Sequence, residues 1–360
     1  MKLNHKTRRA LALSSIAITA FAVSAFTAKA ADEVIPKPDG KEADMSKPVQ
    51  VFILMGQSNM VGLGKITGPD GSLEFAVKEK KKYPYLVDDA GAWTERKDVR
   101  FVRYMSGKGP LNNEWMTVKG KSMGPEYGIG HVVGSGTDAP VMILKSCIGN
   151  RSLGWDLLPP GSKQIEAVEK DKTGAEKTMI YAGYGDSPDK WEKGTEPVKI
   201  GWHAGLQYDS DVADAKKALA DLATHYPGAT KFEVAGFFFW QGEKDCGNAV
   251  HSTNYEKNLV AFITSVRKDF NSPNAKFVLG TLGESVKGST GNGGLVLDAQ
   301  LAVDGTSGKH PEFKGNVATI YTNPMAQGAS GNSHYGGKAE VYMDVGEAMG
   351  KAMLELLKTK

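Results

Sequence analysis

Short runs of consecutive apolar residues recur along the chain. They alternate with stretches whose apolar positions return every three or four residues. The runs are residues 49–55 (VQVFILM), 99–104, 140–145 (PVMILK), 232–240 (FEVAGFFFW), 276–281 (KFVLGT) and 317–322 (VATIYT). Each has strand length, and all but 99–104, which carries Arg100 and Arg103, are largely apolar on both faces, as expected where helices cover both sides of a sheet. The periodic stretches are residues 209–226, closed by Pro227-Gly228, residues 252–270, opened by Ser252-Thr253-Asn254, and residues 335–357. A polar opening of that kind suits a helix N-cap. Strand and helix in alternation predict βαβ units. The expected fold is therefore α/β, a three-layer α/β/α sandwich around a parallel sheet. Residues 156–205 break this rhythm. They are rich in Pro, Gly, Lys, Glu and Trp without a clear period, and predict an irregular insertion. Residues 64–97 and 105–122 are smaller stretches of the same kind.

The amino terminus belongs to a different class of sequence. Lys2, Lys6, Arg8 and Arg9 make a basic start, residues 10–26 are apolar, and Ala28-Lys29-Ala30 offers small residues around a cleavage point. This predicts a signal peptide over residues 1–30, cleavage near Ala30, and a secreted or periplasmic protein. The apolar run is short for a membrane span and no later segment replaces it, so no membrane anchor is expected. Residues 31–48, rich in charge, Pro and Gly, read as a flexible lead-in. The remaining domain covers residues 49–360. Removal of residues 1–30 takes away five basic and no acidic residues and turns a net charge of +3 into −2. The basic balance is thus a property of the leader, and no nucleic-acid surface is expected.

Chemistry gathers where strands end. In a parallel α/β sheet, ligands bind at the carboxyl ends of the strands. Gly56-Gln57-Ser58-Asn59-Met60 follows the first run directly, which presents Ser58 at that rim with its own N–H available to a developing oxyanion. A serine that merely caps a helix is the plainer alternative. Met60 stands where the common hydrolase elbow has its second glycine, which argues against that fold. Trp240-Gln241-Gly242-Glu243-Lys244-Asp245 follows the run 232–240. There Gln241 carries two amide N–H donors, and Glu243 and Asp245 are acids able to orient a histidine. In residues 145–152 (KSCIGNRS), Gly149 allows close backbone approach, and Asn150 and Arg151 follow it. Of seven histidines, His334 alone stands after the last strand and before the last helix. A histidine there can take a proton from serine and return it to a leaving group. Cys147 and Cys246 lie just past two strand ends, and would form a disulfide if those ends brought the sulfurs together.

GQSNM after the first strand, WQGEKD after a central strand and a histidine opening the last helix together resemble the sialate O-acetylesterase-like branch of the SGNH (GDSL-type) hydrolases. The resemblance spans roughly residues 49–355, and Ser122-Met123-Gly124-Pro125-Glu126-Tyr127 is similar to a further stretch of that branch. It implies a flavodoxin-like sheet and a carbohydrate acetylesterase working without cofactor. It implies Ser58 as nucleophile and His334 as base, with Gly149, Gln241 and the Ser58 N–H forming the oxyanion hole. The superfamily carries Asp three residues before this histidine, where the present chain has Gly331. Glu243, a backbone carbonyl or no third group at all would then serve His334. The implied partner is an acetylated oligo- or polysaccharide. Trp155, beside the insertion, offers a ring for stacking on sugar, as do Trp191 and Trp202, and Asn150 and Arg151 stand next to the rim as further contacts. Holding the insertion together is the alternative role for these rings. No histidine pair has zinc-ligand spacing near a carboxylate, so no metal is expected. A lipid or thioester hydrolase and a silent carbohydrate-binding protein are the competing readings. The polar insertion makes a poor apolar lid for the former.

Overall fold

The computed structural model describes residues 34–105 and 107–359. The expected signal peptide and its cleavage point lie outside these residues. Seven strands form the main sheet: β1 (Val49–Gly56), β2 (Glu95–Tyr104), β3 (Asn112–Thr117), β4 (Val141–Ser146), β5 (Phe232–Trp240), β6 (Lys276–Gly280) and β7 (Val317–Ile320), in spatial order β7-β6-β5-β1-β4-β2-β3. All neighbours are parallel except the β2–β3 pair. Without the β2–β3 hairpin, the remaining strands follow the 2-1-3-4-5 flavodoxin-like order. The edge strand β3 is an addition to the expected sheet.

Alternate residues of β1 explain the layers. Val49, Val51, Ile53 and Met55 pack with Tyr208 and Val212 of α2 (Leu206–Ala220) and with Leu259 and Phe262 of α3 (Tyr255–Asp269). Val296 and Ala299 of α4 (Gly291–Ala302) join that face. Phe52 and Leu54 point the other way, onto Tyr127 and Ile129 of α1 (Glu126–Ser135) and Val341 and Met349 of α5 (Ala339–Lys358). Each such side chain, removed from water on a two-sided strand, contributes about 1.5–3 kcal/mol. The three-layer sandwich follows from that double burial. Among the described residues no helix is long and apolar enough to cross a membrane.

Residues 156–205 correct the expectation of irregularity. They hold a three-stranded antiparallel sheet, Ile165–Lys170, Glu176–Tyr181 and Lys190–Glu192. Its first strand alternates half-exposed Ile165, Ala167 and Glu169 with exposed neighbours, a two-residue period on a surface sheet. The turn is set by Asp171, whose carboxylate accepts the N–H groups of Thr173 and Ala175. Trp155 and Trp191 pack beneath on Leu158, Ala182 and Ala204. Residues 35–48 have no helix or strand before β1, yet they lie along the domain. Ile35 packs against the core, and Lys47 pairs with Asp138 at 2.5 Å.

Candidate active site

The register of β1 with β5 matches Gly56 to Trp240, and its pairing with β4 matches Leu54 to Lys145. The loops after these strands, and those after β6 and β7, therefore leave from one edge of the sheet. Between them lies a cavity of about 770 Å³. Ser58, Gly149, Asn150, Trp155, Glu243 and His334 all line it, joined by Asn332, Lys244, Asp189, Asn248 and His251.

Ser58 opens a single helical turn, Ser58–Val61, immediately after the strand. Gly149 packs against it: a Cβ at 149 would sit 3.4 Å from the Ser58 Cβ and 4.0 Å from the Ser58 nitrogen. Neither the Ser58 N–H nor the Gly149 N–H donates to another described residue. Two adjacent donors thus remain open at the cavity wall. From behind, the Lys145 ammonium holds the Val61 carbonyl at 3.1 Å and the Glu126 carboxylate at 2.5 Å, and that carboxylate accepts the Gly124 N–H at 3.0 Å. The Gly-Pro-Glu stretch is therefore wired to the back of the Ser58 turn.

His334 stands in a short turn, His334–Gly337, before α5. His334 and Tyr335 both take left-handed backbone, at φ 54° and 52°. Such geometry costs roughly 1–2 kcal/mol for each residue bearing a Cβ, and needs support from its surroundings. The support includes Tyr335, fully buried and stacked on Trp240. The carbonyl of His334 accepts from the Tyr342 hydroxyl at 3.4 Å. No hydrogen bond joins the Ser58 hydroxyl to the His334 ring. Nucleophile–base bonds commonly tighten only once substrate is bound.

Three site expectations are corrected by the hydrogen bonds. Gln241 is buried, and its amide nitrogen donates to the Arg151 carbonyl at 2.9 Å and to Asp245 at 2.6 Å. With both donors occupied, Gln241 does not offer an N–H to the cavity, and its oxygen accepts from Tyr255. Arg151 does not line the cavity. Its guanidinium stacks 4.6 Å from the Trp202 ring and donates to Gln207 at 3.2 Å. Glu243 reaches the cavity but not the imidazole. Its oxygens accept from the amides of Gln57 and of Asn59, the latter at 2.6 Å, so the carboxylate braces the Ser58 turn. Burial first, and then the neighbouring Glu284 charge, push Glu243 up to about 7.

The disulfide is also absent: Cys147 and Cys246 are free. Cys147 packs in the core on the α1–α5 side of the sheet, whereas Cys246 packs against the opposite core. Burial pushes both thiols up to about 12.

The structure gives Asp245 a different role from orienting a histidine, and adds His251 and Glu284, which the sequence did not single out. Asp245, pushed by burial to about 6, accepts the Leu153 and Gly154 N–H groups at 2.8 Å and ties the loop after β4 to that after β5. His251 also lines the cavity, and burial lowers it to about 4. Glu284 accepts the Gly331 N–H at 3.0 Å. The strand-end rule that singled out Ser58 also applies to Glu284, four residues beyond β6. Among the described residues no group of three His, Cys, Asp or Glu side chains is placed to hold a metal ion.

A family model described as carbohydrate esterase, sialic acid-specific acetylesterase matches residues 48–355. A solved protein from Arabidopsis thaliana is similar at 16% identity, over 86% of this chain and 98% of its own, with a TM-score of 0.48. A carbohydrate acetylesterase from Xanthomonas citri shares 13% identity over 86% of this chain and 57% of its own, with a TM-score of 0.49. The chain thus spans little more than half the length of that relative. The solved protein NanS shares 14% identity over 69% of each chain, with a TM-score of 0.34. No curated protein sequence matches the chain.

Proposed function

Because the chain belongs to the sialic acid-specific acetylesterase family of carbohydrate esterases, which hydrolyse ester bonds, we propose that it removes O-acetyl groups from carbohydrate through Ser58 and His334. The observation that carries this reading is the shared cavity wall: Ser58, His334 and two open N–H donors line one hollow large enough for a sugar unit.

His334 takes the Ser58 proton as the oxygen attacks the acetyl carbonyl. The resulting oxyanion accepts from the Ser58 and Gly149 N–H groups. Asn150, whose side-chain amide donates to no described residue, lines the same wall and is the third donor in place of Gln241. The ester C–O bond breaks, and the sugar oxygen leaves with the proton held by His334. Water then attacks the acetyl-Ser58 carbonyl, again giving its proton to His334, and acetate and free serine result. Trp155 presents a half-buried ring to the cavity, suited to stacking on the sugar. We also propose export of the mature protein, supported by the basic-then-apolar leader; amino-terminal sequencing of the exported form tests it, and cleavage near Ala30 is expected.

Acetate release from 4-nitrophenyl acetate and from acetylated xylan tests the catalytic reading. Ser58→Ala and His334→Ala are each expected to lower kcat by about three orders of magnitude. Folded variants that keep the parent's rate overturn it.

A further inference from the structure

Gly331 occupies the position three residues before His334, and the space beside it is filled from elsewhere. A Cβ at 331 would lie 2.5 Å from Glu284 Oε2, 2.8 Å from Glu243 Oε1 and 2.9 Å from the Tyr335 hydroxyl. Even the first atom of an aspartate side chain would have to displace side-chain ends there, because two carboxylates from other loops already hold the place.

Those carboxylates are wired to the turn. Glu284 Oε2 accepts the Gly331 N–H at 3.0 Å, and the Gly331 carbonyl accepts the His334 N–H at 2.9 Å. The same carbonyl accepts from the Asn59 amide at 3.1 Å, and that amide also donates to Glu243 at 2.6 Å. One continuous path thus runs from Glu284 through Gly331 to His334, and from the Gly331 carbonyl to Asn59, the residue after Ser58. The path ends at a strained segment, since His334 and Tyr335 both have left-handed backbone. A turn of that kind persists only where its surroundings over-determine it.

We infer that Glu284 is a positioning residue for His334, its carboxylate together with that of Glu243 standing in the space an aspartate at 331 would need and holding the turn through the Gly331 N–H. The inference rests on the reading of His334 as the base. Glu284 lies on the loop after β6, outside the serine, glutamine and histidine motifs. Its side of the network is open to solvent, so replacing it removes an acceptor without opening a core cavity.

The test is a small set of variants assayed with 4-nitrophenyl acetate, with Tm measured for each. Glu284→Ala removes acceptor and charge, and Glu284→Gln keeps an acceptor oxygen for the Gly331 N–H. Gly331→Asp forces a side chain into occupied space. The double variant Gly331→Asp/Glu284→Ala supplies a carboxylate at 331 with the nearest of the three crowding groups removed, Glu243 and the Tyr335 hydroxyl remaining. Glu284→Ala is expected to lower kcat about tenfold or more with KM within about twofold, as misplacement of a catalytic group does. Glu284→Gln recovers part of the loss, Gly331→Asp alone is the poorest, and the double variant exceeds both of its parents. A Glu284→Ala enzyme with parental kcat overturns the inference, and so does a folded double variant no better than Glu284→Ala. Ser58→Ala and His334→Ala in the same assay separate the two levels. If both are inactive while Glu284→Ala is unaffected, only the role of Glu284 falls; if both stay active, the catalytic reading falls with it.

Discussion

Replacing Lys145 by methionine isolates what holds the Ser58 turn in place. Lys145 and Glu126 have side chains 1% and 5% exposed, 2.5 Å apart, beneath the loop that carries Ser58. Removing one partner of such a pair leaves the other charge buried without compensation, which costs about 3–5 kcal/mol. For a protein of this length, with about 2 cal/mol/K of unfolding entropy per residue, that loss lowers Tm by about 4–7 °C. The ammonium also holds the Val61 carbonyl at 3.1 Å, the last residue of the Ser58 turn, so kcat should fall together with stability. Lys145→Met/Glu126→Gln removes the stranded charge and keeps an acceptor for the Gly124 N–H. It should regain most of the stability and little of the activity, since Val61 still lacks its donor. Thermal and urea unfolding, with acetate release measured alongside, provide the comparison. A Lys145→Met protein that loses less than about 1 kcal/mol, or a double variant less stable than Lys145→Met alone, would refute the reasoning.

Three further outcomes follow from the site. Glu243 holds its proton up to about 7 in the folded state against 4.5 as its ordinary value, so its contribution to stability is complete below about 4.5 and lost as pH rises through 7. Glu243→Gln should reduce the fall in unfolding free energy between pH 5 and pH 8 by at most about 3 kcal/mol, and an unchanged slope contradicts the burial argument. Trp155→Ala should raise KM several-fold on acetylated xylan while leaving 4-nitrophenyl acetate turnover nearly intact; equal effects on both substrates would assign Trp155 to holding the insertion. Cys147 and Cys246 should resist iodoacetamide at pH 8 while the protein is folded and both react on unfolding without reductant, because burial suppresses the thiolates and no disulfide joins them. Mass spectrometry counts the adducts, and an unfolded chain that takes none without reductant would restore the bridge.

Residues whose role depends on chain position were legible before the fold was known. The run 49–55 is apolar on both faces, so a covered sheet and a rim position for Ser58 follow from pattern and from the strand-end rule. The same holds for Glu243 after β5 and for His334 before α5. Roles that depend on where a side chain turns were not legible. Gln241 has the right donors, but Asp245 and the Arg151 carbonyl consume them, and sequence specifies the amide without its partners. Cys147 and Cys246 follow two strands that both flank β1, yet they pack in cores on opposite faces of the sheet. The hairpin at 165–181 was hidden because an exposed surface sheet buries few apolar positions, and its alternation drowns among Lys and Glu. Glu284 reaches Gly331 across 47 residues, a contact that local pattern does not encode.

An acetyl-enzyme at Ser58 is the central intermediate of the proposed reaction. Rapid acid quench of the purified protein turning over 4-nitrophenyl acetate, followed by peptide mass spectrometry, locates that intermediate directly. The prediction is an acetyl group on the peptide containing Ser58, absent from Ser58→Ala and lost on further incubation of the parent. Acetate release by a folded Ser58→Ala enzyme at the parental rate, or acetylation at another residue that decays with turnover, would contradict it.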